Sequence, residues 1–357
     1  MMLPAVLCIL GFFTGFLLIM RVPVCSPGQS YSEHNLSIII PARNEESNLP
    51  RLLQSIAQSA THPVEVLVVD DASTDKTAMI ARELGATVLA SGGPPDGWLG
   101  KSWACFQGAC RATGHDLLFL DADTYFVGDG ISRLMAGRLA ESNRASVLSV
   151  LPYHSMSAQY EQLSLFFNLL MAAGAGGFGA VSDPQLFGQS LLIARETYFS
   201  SGGHSAVRGN VVENLSLAQH LRTAGAHLVC AGGYGALHMR MFPSGINQMS
   251  ESWTKSFVQG AAATNRLVLI ASALWISALW AAVSLLIAPH NLGRMLPAII
   301  YLSLSVQLAV FARKLGNYHL LTCFLYPLPL IYYCAIFGRA ASLRALGRKT
   351  AWRGRAI

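Results

Sequence analysis

The chain has 357 residues, 52% of them hydrophobic and only 12% charged, about half the roughly 25% charged share of an ordinary soluble domain. That deficit argues against a wholly soluble protein and allows one catalytic domain with hydrophobic anchoring segments. The net charge of +6 arises in the tail, where Arg339, Arg344, Arg348, Lys349, Arg353 and Arg355 follow Gly338 without an acid; the body is balanced, which argues against a nucleic-acid partner and marks the tail as a membrane-surface segment.

In chain order, the uncharged run Leu3 to Met20 ahead of Arg21 predicts an N-terminal transmembrane anchor over residues 1–21. No basic stretch precedes it and no small-x-small site follows, which disfavours a cleaved signal peptide. Residues 22–34, with two prolines and a glycine, read as a linker. From residue 35, strands and helices alternate, which implies a parallel sheet between helices. Ser37–Ile40 is a strand stopped by Pro41. Leu49, Leu52, Leu53 and Ile56 have helical spacing. Val66–Val69 is a second strand ending in Asp70-Asp71, after which Ser73 or Thr74 caps a helix that stops at Gly85. Thr87–Leu89 is a short strand. The glycine- and proline-rich stretch Ser91 to Gly100 suits a flap, and a helix around Trp103 to Ala112 returns to the strand Leu117–Leu120. Seven cysteines form no C-x-x-C pair, so neither a zinc site nor a disulfide framework is indicated.

Two strands therefore end in acids at one edge of one sheet, at Asp70-Asp71 and Asp121-Ala122-Asp123. Ligands bind at the carboxyl ends of strands in open α/β sheets, and paired carboxylates there suit a hard divalent cation that also holds nucleotide phosphates. Alternation along extended backbone would point Asp121 and Asp123 the same way. Neither G-x-G-x-x-G nor a P-loop is present, which disfavours a Rossmann dehydrogenase and a P-loop nucleotidase.

Four ordered motifs carry a resemblance: Ser37-Ile-Ile-Ile-Pro41-Ala42-Arg43-Asn-Glu45, Val-Val-Asp70-Asp71-Ala-Ser-Thr-Asp75, Gly100-Lys101 and Asp121-Ala-Asp123. Together they resemble the inverting family 2 glycosyltransferases. The resemblance implies a GT-A fold, a mixed and largely parallel sheet between helices, over residues 35–265. It implies a UDP-sugar donor with its uracil and ribose held by Pro41, Ala42, Arg43, Glu45, Asp70 and Asp71. Lys101 would approach the nucleotide, and Asp121 and Asp123 would hold the diphosphate through Mg2+ or Mn2+. A bound cation could neutralise the departing diphosphate.

The second half is expected to supply the acceptor side. Phe187-Gly-Gln-Ser-Leu-Leu-Ile-Ala-Arg, Gly202-Gly203-His204 and Val212-Glu213-Asn214 are similar to the family's acceptor region. There the family normally reads Glu-Asp, with the aspartate as general base; here the position is Asn214. Either Glu213 takes over, or the acceptor is a carboxylic acid that is already ionised and needs no base; the pair also reads as a plain helix start. Arg240-Met-Phe-Pro243 and Glu251-Ser-Trp253-Thr-Lys255 resemble the carotenoid-linked branch of the family, although Trp253 and Lys255 equally suit an interfacial helix face. His238 is a candidate third metal ligand or a structural histidine.

The apolar run Tyr160 to Val181 reads as an interfacial helix lining an acceptor site. Beyond Arg266, Leu267 to Ala288 and Met295 to Ala312 are expected to span, while Leu320 to Gly338, broken by Pro327 and Pro329, is expected to be re-entrant or interfacial within a 266–338 membrane region, ahead of the basic tail 339–357. The resulting expectation is a multi-pass membrane enzyme with a cytoplasmic catalytic domain. It would move a hexose from UDP-glucose onto a hydrophobic acceptor, first a carotenoid carboxylate, otherwise a polyisoprenoid phosphate or another lipid. A degenerate nucleotide-binding scaffold is the non-enzymatic alternative.

Overall fold

The structure is a computed structural model that describes residues 2–26, 35–139, 146–175, 177–180, 184–210, 213–260, 265–288, 293–346, 351–352 and 355–356. In chain order these form α1 (Met2–Leu18), β1 (Leu36–Ala42), α2 (Leu49–Ala57), β2 (Glu65–Asp70), α3 (Thr77–Glu83), β3 (Thr87–Ala90), α4 (Gly100–Arg111), β4 (Asp116–Leu120), β5 (Thr124–Phe126), α5 (Gly130–Leu139), β6 (Ser146–Leu151) and β7 (Tyr153–His154). There follow α6 (Leu165–Ala175), β8 (Ser190–Ala194), α7 (Arg195–Ser200), α8 (Glu213–Thr223), β9 (His227–Gly232), β10 (Leu237–Met239), α9 (Ile246–Gly260), α10 (Arg266–Ile287), α11 (Met295–Leu315), α12 (Leu320–Phe324), α13 (Pro327–Ala345), β11 (Ala351–Trp352) and β12 (Arg355–Ala356). They divide into two compact units, one made of Val22–His154 and Pro184–Arg240, the other of Met1–Arg21, Ser155–Asp183 and Met241–Ile357.

The first of these units is built on a seven-stranded sheet in the order β3-β2-β1-β4-β8-β6-β9. All its pairings are parallel except those of β8, which runs antiparallel to both neighbours. β1 is an interior strand between β2 and β4, and Leu36, Ile38, Ile39 and Ile40 are fully buried, as expected of a strand covered on both faces. Ile38 and Ile40 pack on one side with Leu49, Leu52, Leu53 and Ile56 of α2. Ile39, Leu117 and Phe119 pack on the other with Ala104, Cys105 and Ala109 of α4. Gly108 allows that helix to lie close, since a Cβ there would stand 2.4 Å from Ile39 Cγ2.

Several expectations change in detail. β1 continues through Pro41 to Ala42, opposite Val69 and Asp70 of β2, and is not stopped by the proline. The ladder to β4 ends at Ile39–Phe119, so the missing N–H of Pro41 costs no bond on that side. α3 starts at Thr77 with Lys76, not Ser73 or Thr74, at the N-cap position and no side-chain cap there; Asp75 Oδ1 accepts from the Thr77 N–H at 2.9 Å. Gly85 does end that helix with φ of 82°. Residues 22–26 are not a free linker: Gly232 N–H donates to Pro23 O at 2.7 Å and Cys25 is buried. Residues 27–34 lie outside the described residues.

Among the described residues the second unit holds two helices long and apolar enough to cross a bilayer, α10 with 22 residues and α11 with 21. α1, at 17 residues, reaches about 25 Å, short of a ~30 Å hydrocarbon core, so among the described residues the candidate spans are α10 and α11, and not helices at both ends of the chain. α1 lies against α10, with Cys8 Sγ donating to Ala278 O at 3.5 Å and no room for a Cβ on Gly11, which would stand 2.0 Å from Ala278 Cβ. Pro327 and Pro329 open α13 instead of bending an apolar run, a position where a missing N–H leaves nothing unsatisfied. Residues 155–183 group with these helices. Phe167 of α6 stacks on Trp253 at 4.7 Å, and both join Phe242, Met249 and Ile336 in an apolar cluster. Of the 160–181 run, Gly176 and Val181 lie outside the described residues, as do Arg348, Lys349 and Arg353 of the tail.

Candidate active site

The sheet order places the carboxyl ends of β2, β1 and β4 side by side, and the loops that leave them interlock. Asn44 takes a left-handed φ of 53°. Its N–H donates to Ser73 Oγ at 3.0 Å, and its Oδ1 accepts from the Thr74 N–H at 2.8 Å. The Glu45 N–H donates to Thr77 Oγ1 at 2.8 Å. This lacing fixes the Pro41–Glu45 loop against the Asp70–Asp75 loop. Asp71 is buried; its N–H donates to Ala42 O at 2.8 Å, Ser91 Oγ donates to its Oδ1 at 3.2 Å, and Arg43 Nη1 lies 3.6 Å from its Oδ2. Asp70 instead closes its own turn by accepting from the Ser73 N–H at 3.2 Å. The glycine-rich stretch after β3 is held down, with Trp98 against Trp103 at 5.0 Å and the Leu99 N–H donating to Arg208 O at 3.0 Å.

β4 ends at Leu120, so Asp121 and Asp123 sit on a tight turn and not on extended backbone. The Thr124 N–H donates to Asp121 O at 3.1 Å and closes it. Lys101, in the first turn of α4, donates to Gly188 O at 2.8 Å and lies 2.7 Å from Asp121 Oδ1 and 4.0 Å from Glu213 Oε1. Burial alone would lower the lysine's pKa, but the Asp121 and Glu213 carboxylates outweigh it and hold the ammonium well above its ordinary range. Asp123 is pushed up to about 7 by burial and by the neighbouring Asp121 and Glu45 carboxylates. Its buried Oδ1 has no hydrogen-bond partner among the described residues.

These carboxylates fit a divalent cation. An unpartnered, buried carboxylate oxygen beside a second acid is costly until a positive charge is shared between them. Among the described residues no group of three His, Cys, Asp or Glu is placed to hold a metal ion by itself, so a cation here would need further ligands such as substrate phosphates or water. His238 is not gathered there: opposite Tyr125 on β5 and Tyr153 on β7, its ring packs against theirs at 5.6 and 4.9 Å. Burial first and Arg51 second push it down to about 4, so it is neutral.

A cavity beside this cluster is lined by Pro41, Lys101, Cys105, Asp121, Gly188, His204 and Asn214, with Phe119, Leu186, Phe187 and Leu191 as its apolar walls. Glu213 and Asn214 open α8, and Asn214 presses on Gly188, where a Cβ would meet its Nδ2 at 2.3 Å. The structure thus brings together Pro41, Lys101, Asp121, Glu213 and Asn214. Asp71, Arg43 and Glu45 border the neighbouring loop. Trp253 and Lys255 lie on α9 of the other unit, where Trp253 is buried in the aromatic cluster and donates from Nε1 to Ser164 Oγ at 3.2 Å. Sequence reasoning left Cys105, Phe119 and Leu186 unassigned. One of them had a readable signal: Cys105 is four residues after Lys101 on one helix face.

Residues 37–215 match the family described as glycosyl transferase family 2. The 4,4'-diaponeurosporenoate glycosyltransferase of Staphylococcus aureus strain MRSA252 is 32% identical over 336 residues, 91% of this chain and 89% of that one. Its namesake in strain USA300 is 31% identical over the same shares. Among solved structures, a mannosyltransferase from Pyrobaculum calidifontis in complex with GDP-Man and Mn2+ aligns over 97% of this chain and 96% of its own, with a TM-score of 0.55 and 16% identity, a likeness of fold.

Proposed function

Because this chain belongs to glycosyl transferase family 2, a family of glycosyltransferases, we propose that it moves a hexose from a nucleotide sugar, UDP-glucose, onto the carboxylate of a carotenoid-like lipid at a membrane. Arg43 and Asp71 would grip the base and ribose side of the donor, with Glu45 behind them, and Lys101 would turn from Asp121 toward the diphosphate. Asp121 and Asp123 would hold Mg2+ or Mn2+, which when bound neutralises charge developing on the departing diphosphate. The acceptor oxygen would attack the anomeric carbon from the side opposite the diphosphate, inverting it.

One observation carries the choice of acceptor. The base position holds an amide, Asn214, wedged against Gly188, while Glu213 lies 4.0 Å from the Lys101 ammonium. A carboxylate held beside an ammonium is a weakened base. An acceptor that arrives already ionised needs none. The 32% identical relative, named for a carotenoid carboxylate, supports the same choice. A polyisoprenoid phosphate is equally ionised and is the second reading. Placement follows from the donor: nucleotide sugars are cytosolic, so the sheet unit would face the cytoplasm. α10 and α11 would cross as a hairpin, and α13, with Arg339 and Arg344 toward its end, would return along the cytoplasmic surface.

The test uses the purified full chain in detergent with UDP-glucose, Mn2+ and a carotenoid monocarboxylic acid. A glucosyl ester detected by mass spectrometry, absent with EDTA, is the expected result. Transfer only to a polyisoprenyl phosphate, or full activity in EDTA, would overturn the acceptor or the metal respectively.

A further inference from the structure

The cavity contains a polar group that neither the donor motifs nor the base position accounts for. The His204 backbone N–H donates to the hydroxyl oxygen of the fully buried Tyr198 at 3.2 Å, and the same hydroxyl lies 2.9 Å from His204 Nδ1. A phenol has one proton to donate, and Nδ1 is the acceptor within its reach among the described residues. The O–H must therefore point at Nδ1, which is unprotonated. Burial, with Lys101 adding to it, pushes the ring's pKa down to about 3, so the imidazole is neutral and its one proton sits on Nε2. Among the described residues Nε2–H meets no protein acceptor, and the ring lines the cavity beside Phe119 at 5.2 Å.

The loop is shaped to produce this. Gly202 and Gly203 both have positive φ, 82° and 51°, and a Cβ on Gly203 would stand 2.5 Å from the Tyr198 ring. Only glycine lets the chain fold over the phenol there and return the imidazole to its hydroxyl. With that tautomer fixed the imidazole offers one donor, Nε2–H, in a cavity that Lys101, Asp121 and Asn214 also line. A sugar hydroxyl matches that set because it accepts one hydrogen bond while donating another.

We infer that His204 is a specificity residue for the transferred sugar, its Nε2–H donating to one hydroxyl of the bound hexose, with Tyr198 as the positioning residue that fixes the tautomer. The inference rests on the nucleotide-sugar reading above. Its test compares kcat/KM for UDP-glucose and the 2-, 3-, 4- and 6-deoxy UDP-glucoses in the wild type, His204→Gln, His204→Phe and Tyr198→Phe. One deoxy donor should be about 10–10²-fold poorer than UDP-glucose for the wild type, the cost of leaving one buried N–H unpaired. His204→Phe should erase that ratio, His204→Gln should keep most of it because its amide N–H reaches the same place, and Tyr198→Phe should reduce it. The ratios between donors do not depend on how much of a variant is folded. Equal losses on all five donors in His204→Phe would overturn the inference and leave His204 structural. No wild-type turnover with any of them would overturn the nucleotide-sugar reading itself, and this inference with it.

Discussion

Asp123→Asn makes opposite predictions for activity and for stability. Burial and the Asp121 and Glu45 carboxylates raise the Asp123 pKa from its ordinary 3.8 to about 7. At about 1.4 kcal/mol per pH unit, ionised Asp123 costs the unliganded fold about 4 kcal/mol, and partial solvent access at this half-buried site trims that to about 2–4. The sign follows from linkage: the unfolded carboxyl ionises above pH 3.8 while the folded one stays protonated until about 7, so the cost grows across that window and levels off above it. Asparagine removes the charge with little change of shape. The variant should lose transfer altogether. In metal-free buffer it should nonetheless unfold at a higher temperature than the wild type at pH 8, with the advantage shrinking toward pH 4. Circular dichroism melts of the detergent-solubilised protein at both pH values measure this. An Asp123→Asn chain less stable than the wild type at pH 8, or an advantage independent of pH, would refute the claim that these carboxylates are held in mutual repulsion.

Lys101→Met strips Asp121 of its 2.7 Å partner and should lower kcat/KM for the nucleotide sugar by about 10²–10³-fold, the usual worth of one such donor; wild-type kinetics would exclude a role at the diphosphate. Gly188→Ala drives a methyl to 2.3 Å from Asn214 Nδ2, so transfer should fall while UDP binding, followed by calorimetry, stays within about twofold; unchanged transfer would free Asn214 from the site. His154 is buried with neither ring nitrogen paired among the described residues, and burial pushes it down to about 3. The unfolded chain binds its proton below pH 6.5 and the folded chain does not, so the wild type loses about 1.4 kcal/mol per pH unit there. His154→Leu should therefore melt higher than the wild type at pH 5, and a lower melting temperature would show that the ring makes contacts that outweigh the burial.

Much of the nucleotide half was legible because each signal was local. Four apolar residues followed by an acid mark a buried strand and its functional end, and this pattern located β2 and β4 within two residues, as the isoleucine run before Pro41 did β1. The details that escaped depend on partners distant in sequence. Pro41 looks like a stop, but the neighbouring ladder ends at Ile39 and lets the strand run on. The Asp121 and Asp123 side chains converge on Lys101 and Glu45 through a turn closed by Thr124, and strand alternation could not supply that. Trp253 resembles a site residue in its motif, yet Phe167, more than eighty residues earlier in the chain, makes it core. The cavity wall was legible only in pieces, since Phe187, Gly188 and His204 come from segments whose meeting is set by β8, a strand antiparallel to both its neighbours.

The interleaving of the two units constrains how the enzyme can be cut. A soluble fragment made by truncation after Arg240 would still carry residues 155–183, whose described part includes Phe167 without Trp253 or the rest of its aromatic cluster. Such a fragment would expose a patch that aggregates. A soluble version has to be excised rather than truncated, with 1–21 and everything after 240 removed and a short linker joining His154 to Pro184.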